Sequence, residues 1–403
     1  MSVPKLRFKD ENGQDFPDWE EKRLNKVICE RSEISNDNYP IYSLTIQDGV
    51  TPKTDRYERE HLVTDKSNAY KLVKKNDFAY NPMNLRFGAI ARYSGDSPVR
   101  VSKYYNVFYC NNLSNSLFFE TYLKTTAMIS FYDRMASGSL IEKKRVHFGD
   151  FLRFKIPIAS IQEQTKIADF LITIDEKIAQ LTQKCELLAR YKKGVMQQLF
   201  SQKLRFKDDD GCDFPDWEDK KIGAIATFLK GKGISKADIL KDGDTPCIRY
   251  GELYTEYSET IQEVKSKTNV NRDELQFSKS NDVIIPASGE TQIDIAKASC
   301  VLISGVALGG DLNIIRSKEN GIFIAYYLNS QKKLDIAKLA QGNSVVHLYA
   351  SQLKLLDLTI PIKSEQTKIA NFLTTLDEKI TQSQTYLETV KQYKQGLLQQ
   401  MFI

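Results

Sequence analysis

Hydrophobic residues recur every seven positions over two long stretches of this 403-residue chain. In the first, Ile167, Ile174, Leu181, Leu188 and Val195 are each followed four residues on by Leu171, Ile178, Cys185, Lys192 and Leu199, so that nine of ten positions are apolar. In the second, Ile369, Leu373, Leu376, Ile380, Ser383, Leu387, Val390, Lys394, Leu397 and Met401 form the same stripe, with eight of ten apolar. Seams sustained over five heptads predict two coiled-coil helices, each of about 36 residues and about 50–55 Å long. Such a stripe has to be covered, because about 1.5–3 kcal/mol per large apolar side chain is forfeited in water. The cover is either the other helix of the same chain or a helix of a second chain. Ile156, Pro157 and Ile158 lead a first globule into the first helix, and Ile360, Pro361 and Ile362 lead a second globule into the second; proline blocks helix and keeps the residue before it extended. Only residues 201–220 join the first helix to the second globule. Helices pairing within the chain are therefore expected to run antiparallel, with one globule at each end. Lys192 and Lys394 occupy equivalent seam positions and either snorkel from the edge or mark where the coil opens.

The chain is also written twice. Residues 5–20 (KLRFKDENGQDFPDWE) return 198 positions later with 13 of 16 identical, and residues 163–200 return 202 positions later with 21 of 38 identical. Between these blocks, roughly 39–135 and 241–339, no alignment is evident. A duplicated frame with two different fillings is the expectation. It divides into a repeat segment (1–20), a first globule (21–158), a spacer helix (159–201), a second repeat segment and linker (202–220), a second globule (221–362) and a second spacer helix (363–403). Within the globules, β-rich runs at 77–80, 85–93, 99–107, 282–286 and 299–303 predict strands, and 116–135 and 321–339 predict amphipathic helices. A fainter repeat aligns residues 136–158 with 340–362 at an offset of 204. It sets Ser137, Gly138 and Ser139, and Gln341, Gly342, Asn343 and Ser344, just before a strand. Amides and hydroxyls there either hold a phosphate or form an ordinary turn.

Composition narrows the classes. With 41% hydrophobic and 27% charged residues the chain is globular, and no apolar run approaches the 18 residues of a membrane span. The N-terminus lacks the apolar stretch of a signal peptide, so a cytoplasmic protein without a membrane role is expected. Six cysteines form no CxxC pair and histidines number three, which removes zinc-type spacing. A net charge of +5 permits a polyanion partner without demanding one. Catalytic motifs are missing: residues 231–236 (GKGISK) only loosely resemble a phosphate loop, and the Pro17, Asp18, Glu20, Glu21, Lys22 cluster is too tight for a magnesium site on separate strands. Asn81-Pro82-Met83-Asn84 has the first letters of an amino-methyltransferase motif but not its aromatic, and reads as a β-turn opening the segment Leu85, Arg86, Phe87.

The whole chain resembles the DNA-specificity subunit of bacterial type I restriction-modification systems. The resemblance rests on the paired EQTKIA starts at Glu163 and Glu365, the DEKI segments at Asp175 and Asp377, the helix ends QQLF and QQMF at Gln197 and Gln399, and above all on their tandem arrangement. It implies an α+β chain in which two α/β target-recognition domains are separated by a long antiparallel two-helix coiled coil with an internal pseudo-two-fold repeat. It further implies binding to double-stranded DNA at a split, asymmetric target, docking of two methylase subunits, and restriction or motor subunits joined through the complex. No cofactor is expected on this chain; S-adenosylmethionine, ATP and Mg2+ belong to the partners. The rival reading is a coiled-coil scaffold that does not bind DNA. Beside probable turns, side chains of the types that reach phosphates and base edges are Lys53, Arg86, Arg92, Tyr93 and Ser94 in the first head. In the second they are Lys232, Lys236, Arg249, Tyr250, Ser288 and Gln292, and the small polar residues Ser137, Ser139, Asn343 and Ser344 join the set. Arg86 and Arg92 share one face if 85–93 is a single strand.

Overall fold

The heptad stripes fold as helices of 40 and 39 residues, Ile161–Phe200 and Lys363–Met401. The computed structural model describes residues 4–35, 38–53, 70–138, 144–342 and 345–402. The chain divides into two units, Met1–Leu181 with Tyr386–Ile403, and Thr182–Thr385, so each long helix contributes one half to each. In the first unit Ile167, Leu171 and Ile174 share a core with Leu397, Met401 and Phe402, with Ile178 and Val390 at its margin. In the second, Val195 and Leu199 pack with Ile369, Leu373 and Leu376. Leu181 and Leu387 are buried, and Leu188 and Ile380 half-buried. Each unit therefore holds an antiparallel helix pair, and the cover for each stripe comes from within the chain.

Each head hangs on its helix pair through a short antiparallel ribbon. Glu20–Arg23 pairs with Lys155–Ile158 in the first unit, and Glu218–Lys221 with Asp357–Ile360 in the second. The helix ends then dive into the heads. Phe402 stacks on Tyr122 at 5.4 Å and Phe200 meets Tyr327 edge-on at 5.4 Å. Aromatic pairs of this geometry contribute about 0.5–1.5 kcal/mol beyond their buried area.

The two fillings, unalignable in sequence, share a sheet. The first head orders its strands Ile28–Glu30, Asn106–Cys110, Phe78–Tyr80, Ile90–Arg92, all antiparallel. The second orders Ala226–Lys230, Leu312–Ser317, Asp282–Pro286, Ser299–Val301 in the same way and adds Thr260–Ile261 in parallel. One local signature survives in both. In Lys74-Lys75-Asn76-Asp77 and Lys279-Ser280-Asn281-Asp282 the asparagines stand at φ 69° and 81°, a left-handed position that asparagine tolerates. The buried Asp77 and Asp282 each accept the lysine amide three residues back at 2.7 Å. Both carboxylates are gripped by an arginine, but from different strands: Arg316 lies on Leu312–Ser317 itself, whereas the matching place holds Tyr109, and Arg31 reaches over the Tyr109 ring from beside the neighbouring strand. Beyond this sheet the heads diverge. The first carries the hairpin Tyr42–Thr45 with Gly49–Pro52 and the pair Tyr70–Val73 with Val99–Ser102. The second builds another five-stranded sheet from Ile239–Leu240, Ser266–Thr268, Thr245–Ile248, Ala307–Leu308 and Gln276–Phe277.

Several predicted elements are split. Residues 85–93 are not one strand: Leu85–Phe87 is a 3-10 turn closed by Gly88 at φ 89°, and only Ile90–Arg92 is extended. Residues 99–107 break at a turn between Val99–Ser102 and Asn106–Cys110. The two amphipathic helices are each two, Ser116–Tyr122 with Thr126–Met135, and Gly321–Ser330 with Lys333–Leu339. In the first of these pairs the Thr125 hydroxyl caps a new helix start by accepting the Met128 amide.

Candidate nucleic-acid interface

The frame positions the heads through polar groups that have no freedom left. Glu163 and Glu365 are fully buried at the starts of the long helices. Arg7 donates to Glu163 through Nε (3.0 Å) and Nη2 (2.8 Å), and the Trp19 indole adds a third bond at 3.1 Å. Arg205 and Trp217 repeat this on Glu365 at 3.1, 2.8 and 3.2 Å. The next residue holds the head: Gln164 Oε1 accepts the Asn115 amide at 2.9 Å and Gln366 Oε1 the Asn320 amide at 3.0 Å, and each asparagine caps the helix that follows. The first repeated block is thus the lock for the second. Lys192 and Lys394 neither snorkel nor open the coil. Each reaches across to the facing helix, Lys192 to Asp377 (2.7 Å) and Lys394 to Asp175, so the aspartates of the DEKI segments are their partners.

In the first head both candidate arginines are engaged with carboxylates. Arg86 lies 3.2 Å from Asp133 and over the Phe87 ring, on the 3-10 turn. Arg92 donates to Glu120 and to Asn76, both at 2.7 Å. With Gly88 between them in a left-handed conformation, the two arginines do not share a strand face. Arg92 borders a cleft of about 820 Å³ between the head helices and the helix pair, lined also by Glu120, Lys124, Asp175, Lys394 and Phe402. Burial lowers the pKa of the Lys124 ammonium there. Tyr93 is buried and its hydroxyl donates to the Ser97 carbonyl at 2.7 Å, while Ser94 is exposed. Lys53 follows the hairpin, its amide bonded to the Ile41 carbonyl.

The fainter repeat is a bridge in each head. Ser137 exchanges both backbone bonds with Arg145, and Gln341 does so with His347. A Cβ on Gly342, at φ 130°, would fall 2.1 Å from the Val345 carbonyl oxygen, so this turn requires glycine. Ser139, Asn343 and Ser344 lie outside the described residues.

The second head gathers its candidates. Gly231-Lys232-Gly233 runs against Leu308-Gly309-Gly310, with the Lys232 amide on the Leu308 carbonyl at 2.9 Å and the Gly310 amide on that of Gly233 at 3.0 Å. Gly309 in turn bonds to the Ile248 carbonyl, which places Arg249 and Tyr250 alongside. Tyr250 is exposed and lies 6.4 Å from the Tyr254 ring. Burial, reinforced by Tyr250, Asp294, Asp311 and Glu290, raises the Tyr254 hydroxyl's pKa, and that hydroxyl donates to the Ser288 carbonyl at 2.9 Å. Ser288 itself is buried opposite His347, whereas Lys236 and Gln292 are exposed, Gln292 at 3.4 Å from the Ala340 carbonyl. The clamp residues Arg7, Glu163, Gln164 and Asn115, with their counterparts, were not singled out by type; repetition was the available signal for the first three, and Asn115 and Asn320 lie in the stretches that do not align. Among the described residues no cluster of three or more His, Cys, Asp or Glu side chains can hold a metal ion, and no helix is long and apolar enough to cross a membrane.

A family model described as the type I restriction modification DNA specificity domain matches the chain twice, over residues 17–189 and 215–392. The type I restriction enzyme MjaVIII specificity subunit of Methanocaldococcus jannaschii is 24% identical over 267 residues, 62% of this chain and 61% of that protein. The MjaX specificity subunit of the same organism is 22% identical over 409 residues, 97% of this chain and 94% of its own length. The chain thus spans about three fifths of the first relative and nearly all of the second. Among solved structures, the S subunit of a type I restriction-modification system from M. genitalium superposes with a TM-score of 0.57 at 14% identity, covering 100% of this chain and 99% of that one. The HsdS subunit from Thermoanaerobacter tengcongensis gives 0.52 at 14% identity, over 98% of each chain. At such identities the structural likeness is one of fold.

Proposed function

The chain belongs to the type I restriction-modification DNA specificity family, and on that premise we propose that it reads a bipartite, asymmetric DNA target with one half-site per head. Like other members it is a recognition subunit without catalysis of its own. One observation carries the bipartite reading: the clamp is repeated contact for contact on a duplicated helix pair, while the sheets outside the shared four strands differ completely. A duplicated frame supports two equivalent attachments, and unlike heads support two unlike half-sites. Two methylase subunits, one for each repeat of the frame, are the partners this favours, with restriction or motor subunits joining through the complex. S-adenosylmethionine, ATP and Mg2+ then act on those partners, in the cytoplasm. Arginine forks on guanine and glutamine or asparagine on adenine are the contacts that discriminate bases in the major groove.

The test is single-molecule methylation sequencing of a methylation-free host expressing the chain with its methylase subunit. A split motif with two dissimilar halves, methylated once on each strand, is the expected result. A complex that forms but methylates nothing, with no salt-dependent duplex binding by the chain, would overturn the reading in favour of a scaffold.

A further inference from the structure

The second head contains three arginines, Arg249, Arg272 and Arg316. Arg316 is locked to Asp282 at 2.6 Å, and Arg272 bonds to the Thr245 hydroxyl and lies over the Phe277 ring. Arg249 differs: its Nε is buried without a hydrogen-bond partner, and among the described residues no carboxylate lies within ion-pair distance of it. The nearest acid is already committed. Glu252, itself buried, accepts the Arg249 backbone amide at 2.6 Å with one oxygen and the Ser266 hydroxyl with the other. Arg249 as a residue is half-buried, so its side chain is not sealed within the head.

What surrounds Arg249 is a rigid cationic rim. A Cβ on Gly231 would fall 1.8 Å from the Gly309 carbonyl oxygen, so the backbone beside Lys232 passes closer than any other residue allows. Gly233 and Ile234 follow, both at φ 59°. For a β-branched residue this is a strained conformation, of the kind that persists only where the surroundings impose it. Two lysines, Lys232 and Lys236, project exposed from this loop, and Tyr250 is 36% exposed next to Arg249. The acidic groups Asp294, Asp311 and Glu290 lie near Tyr254, whose ring is 6.4 Å from that of Tyr250.

We propose that Arg249 is the base-reading arginine of the second head, pairing with a guanine edge in the major groove, and that Lys232 and Lys236 hold the adjoining phosphates. The assignment rests on the reading of this chain as a two-headed DNA-recognition subunit. An arginine held in place by its own backbone and left without an internal partner offers its fork to guanine O6 and N7, and the lysines contribute attraction that is blind to sequence.

The test uses the full chain in complex with its methylase subunits, on duplexes in which each base pair of the target is replaced in turn. Arg249→Ala is expected to lower discrimination at a single position of one half-site by about ten- to a hundred-fold and to leave the other half-site untouched. Arg249→Gln at that position is expected to admit adenine in place of guanine. Lys232→Ala is expected to weaken binding evenly across sequences and to reduce the slope of log K against log salt by about one. Thermal unfolding of each variant separates misfolding from loss of a contact, and the glutamine variant decides the matter if the alanine variant does not fold. Unchanged discrimination at every position in a folded Arg249→Gln complex would sink the assignment of Arg249 alone. A wild-type complex that methylates no duplex would take down the two-headed reading together with it.

Discussion

At the scale of single residues, the protein depends on two buried carboxylates. Glu163 receives three donors and Glu365 receives the same three from the duplicate block, and both are wholly inaccessible. Removing one member of a buried ion pair strands the other, which costs about 3–5 kcal/mol. Glu163→Ala is therefore expected to destabilise the first unit by about 3–5 kcal/mol, read as a lowered urea midpoint. The chain has only two tryptophans, Trp19 and Trp217, and each bonds to one of these glutamates, so in a Trp217→Phe background fluorescence reads the first lock alone. An unchanged Trp19 emission and midpoint in Glu163→Ala would refute the lock. Cysteine chemistry is set at the same scale. Burial raises the Cys247 thiol to about 11 and the Cys300 thiol to about 12, whereas Cys212 is exposed. At pH 8 a thiol of pKa 11 is only about one part in a thousand thiolate, the reactive form. A maleimide at that pH is expected to modify Cys212 first and to reach Cys247 and Cys300 only on unfolding; rapid modification of Cys300 in the folded chain, read by peptide mass, would contradict the burial.

At the scale of elements, equivalent contacts differ in strength because of what the heads place beside them. Lys394 and Asp175 form an exposed cross-helix pair, side chains 24% and 55% accessible, and pairs of that kind contribute about 0.2–1 kcal/mol. Lys192 is more enclosed: it also faces Glu259 at 3.3 Å and lies 5.1 Å from the centre of the Tyr326 ring, whose hydroxyl donates to the same Asp377. Lys192→Met is expected to destabilise the second unit by about 1–3 kcal/mol, and Lys394→Met the first by under about 1 kcal/mol. Equal effects in denaturant titrations of the two variants would show that Glu259 and Tyr326 add nothing. The helices themselves were legible because a seven-residue period persists for five heptads, and connectivity gave the antiparallel sense of an intrachain pair, while the choice of partner came from the structure. The shared sheet of the heads was not. Its strands are three to six residues long, its one common turn keeps only a lysine, an asparagine and an aspartate, and the arginine that completes it moved to a different strand. A strand prediction through Leu85 to Tyr93 failed for a local reason, since Gly88 at φ 89° ends a turn in the middle of an apolar run. Among candidate contacts, residue type pointed to Arg86 and Arg92 as readily as to Arg249; only the structure distinguishes arginines bound to Asp133 and Glu120 from one with no carboxylate partner among the described residues.

At the scale of the whole molecule, the question is whether a head is a replaceable module. The ribbon decides where it can be cut. Glu20 lies opposite Ile158 and Arg23 opposite Lys155, so the two ends of the first head enter and leave side by side, and an exchange of residues 21–158 transplants a segment whose termini already meet. The frame asks little of the incoming head: a residue at the Asn115 place whose amide Gln164 can accept, and an aromatic surface for Phe402 like that of Phe118 and Tyr122. The second head meets both demands with Asn320 and with Phe323 and Tyr327, although beyond the shared four strands it is a different structure. A foreign head carrying that asparagine and those rings is therefore expected to fold on this frame and to change one half of the methylated motif, leaving the other half and its recognition unaltered. Methylation sequencing of the hybrid checks both halves at once. If both halves change, the heads do not read independently; if the hybrid fails to fold until its asparagine is restored, the helix cap at that place and not the ribbon is the limiting junction.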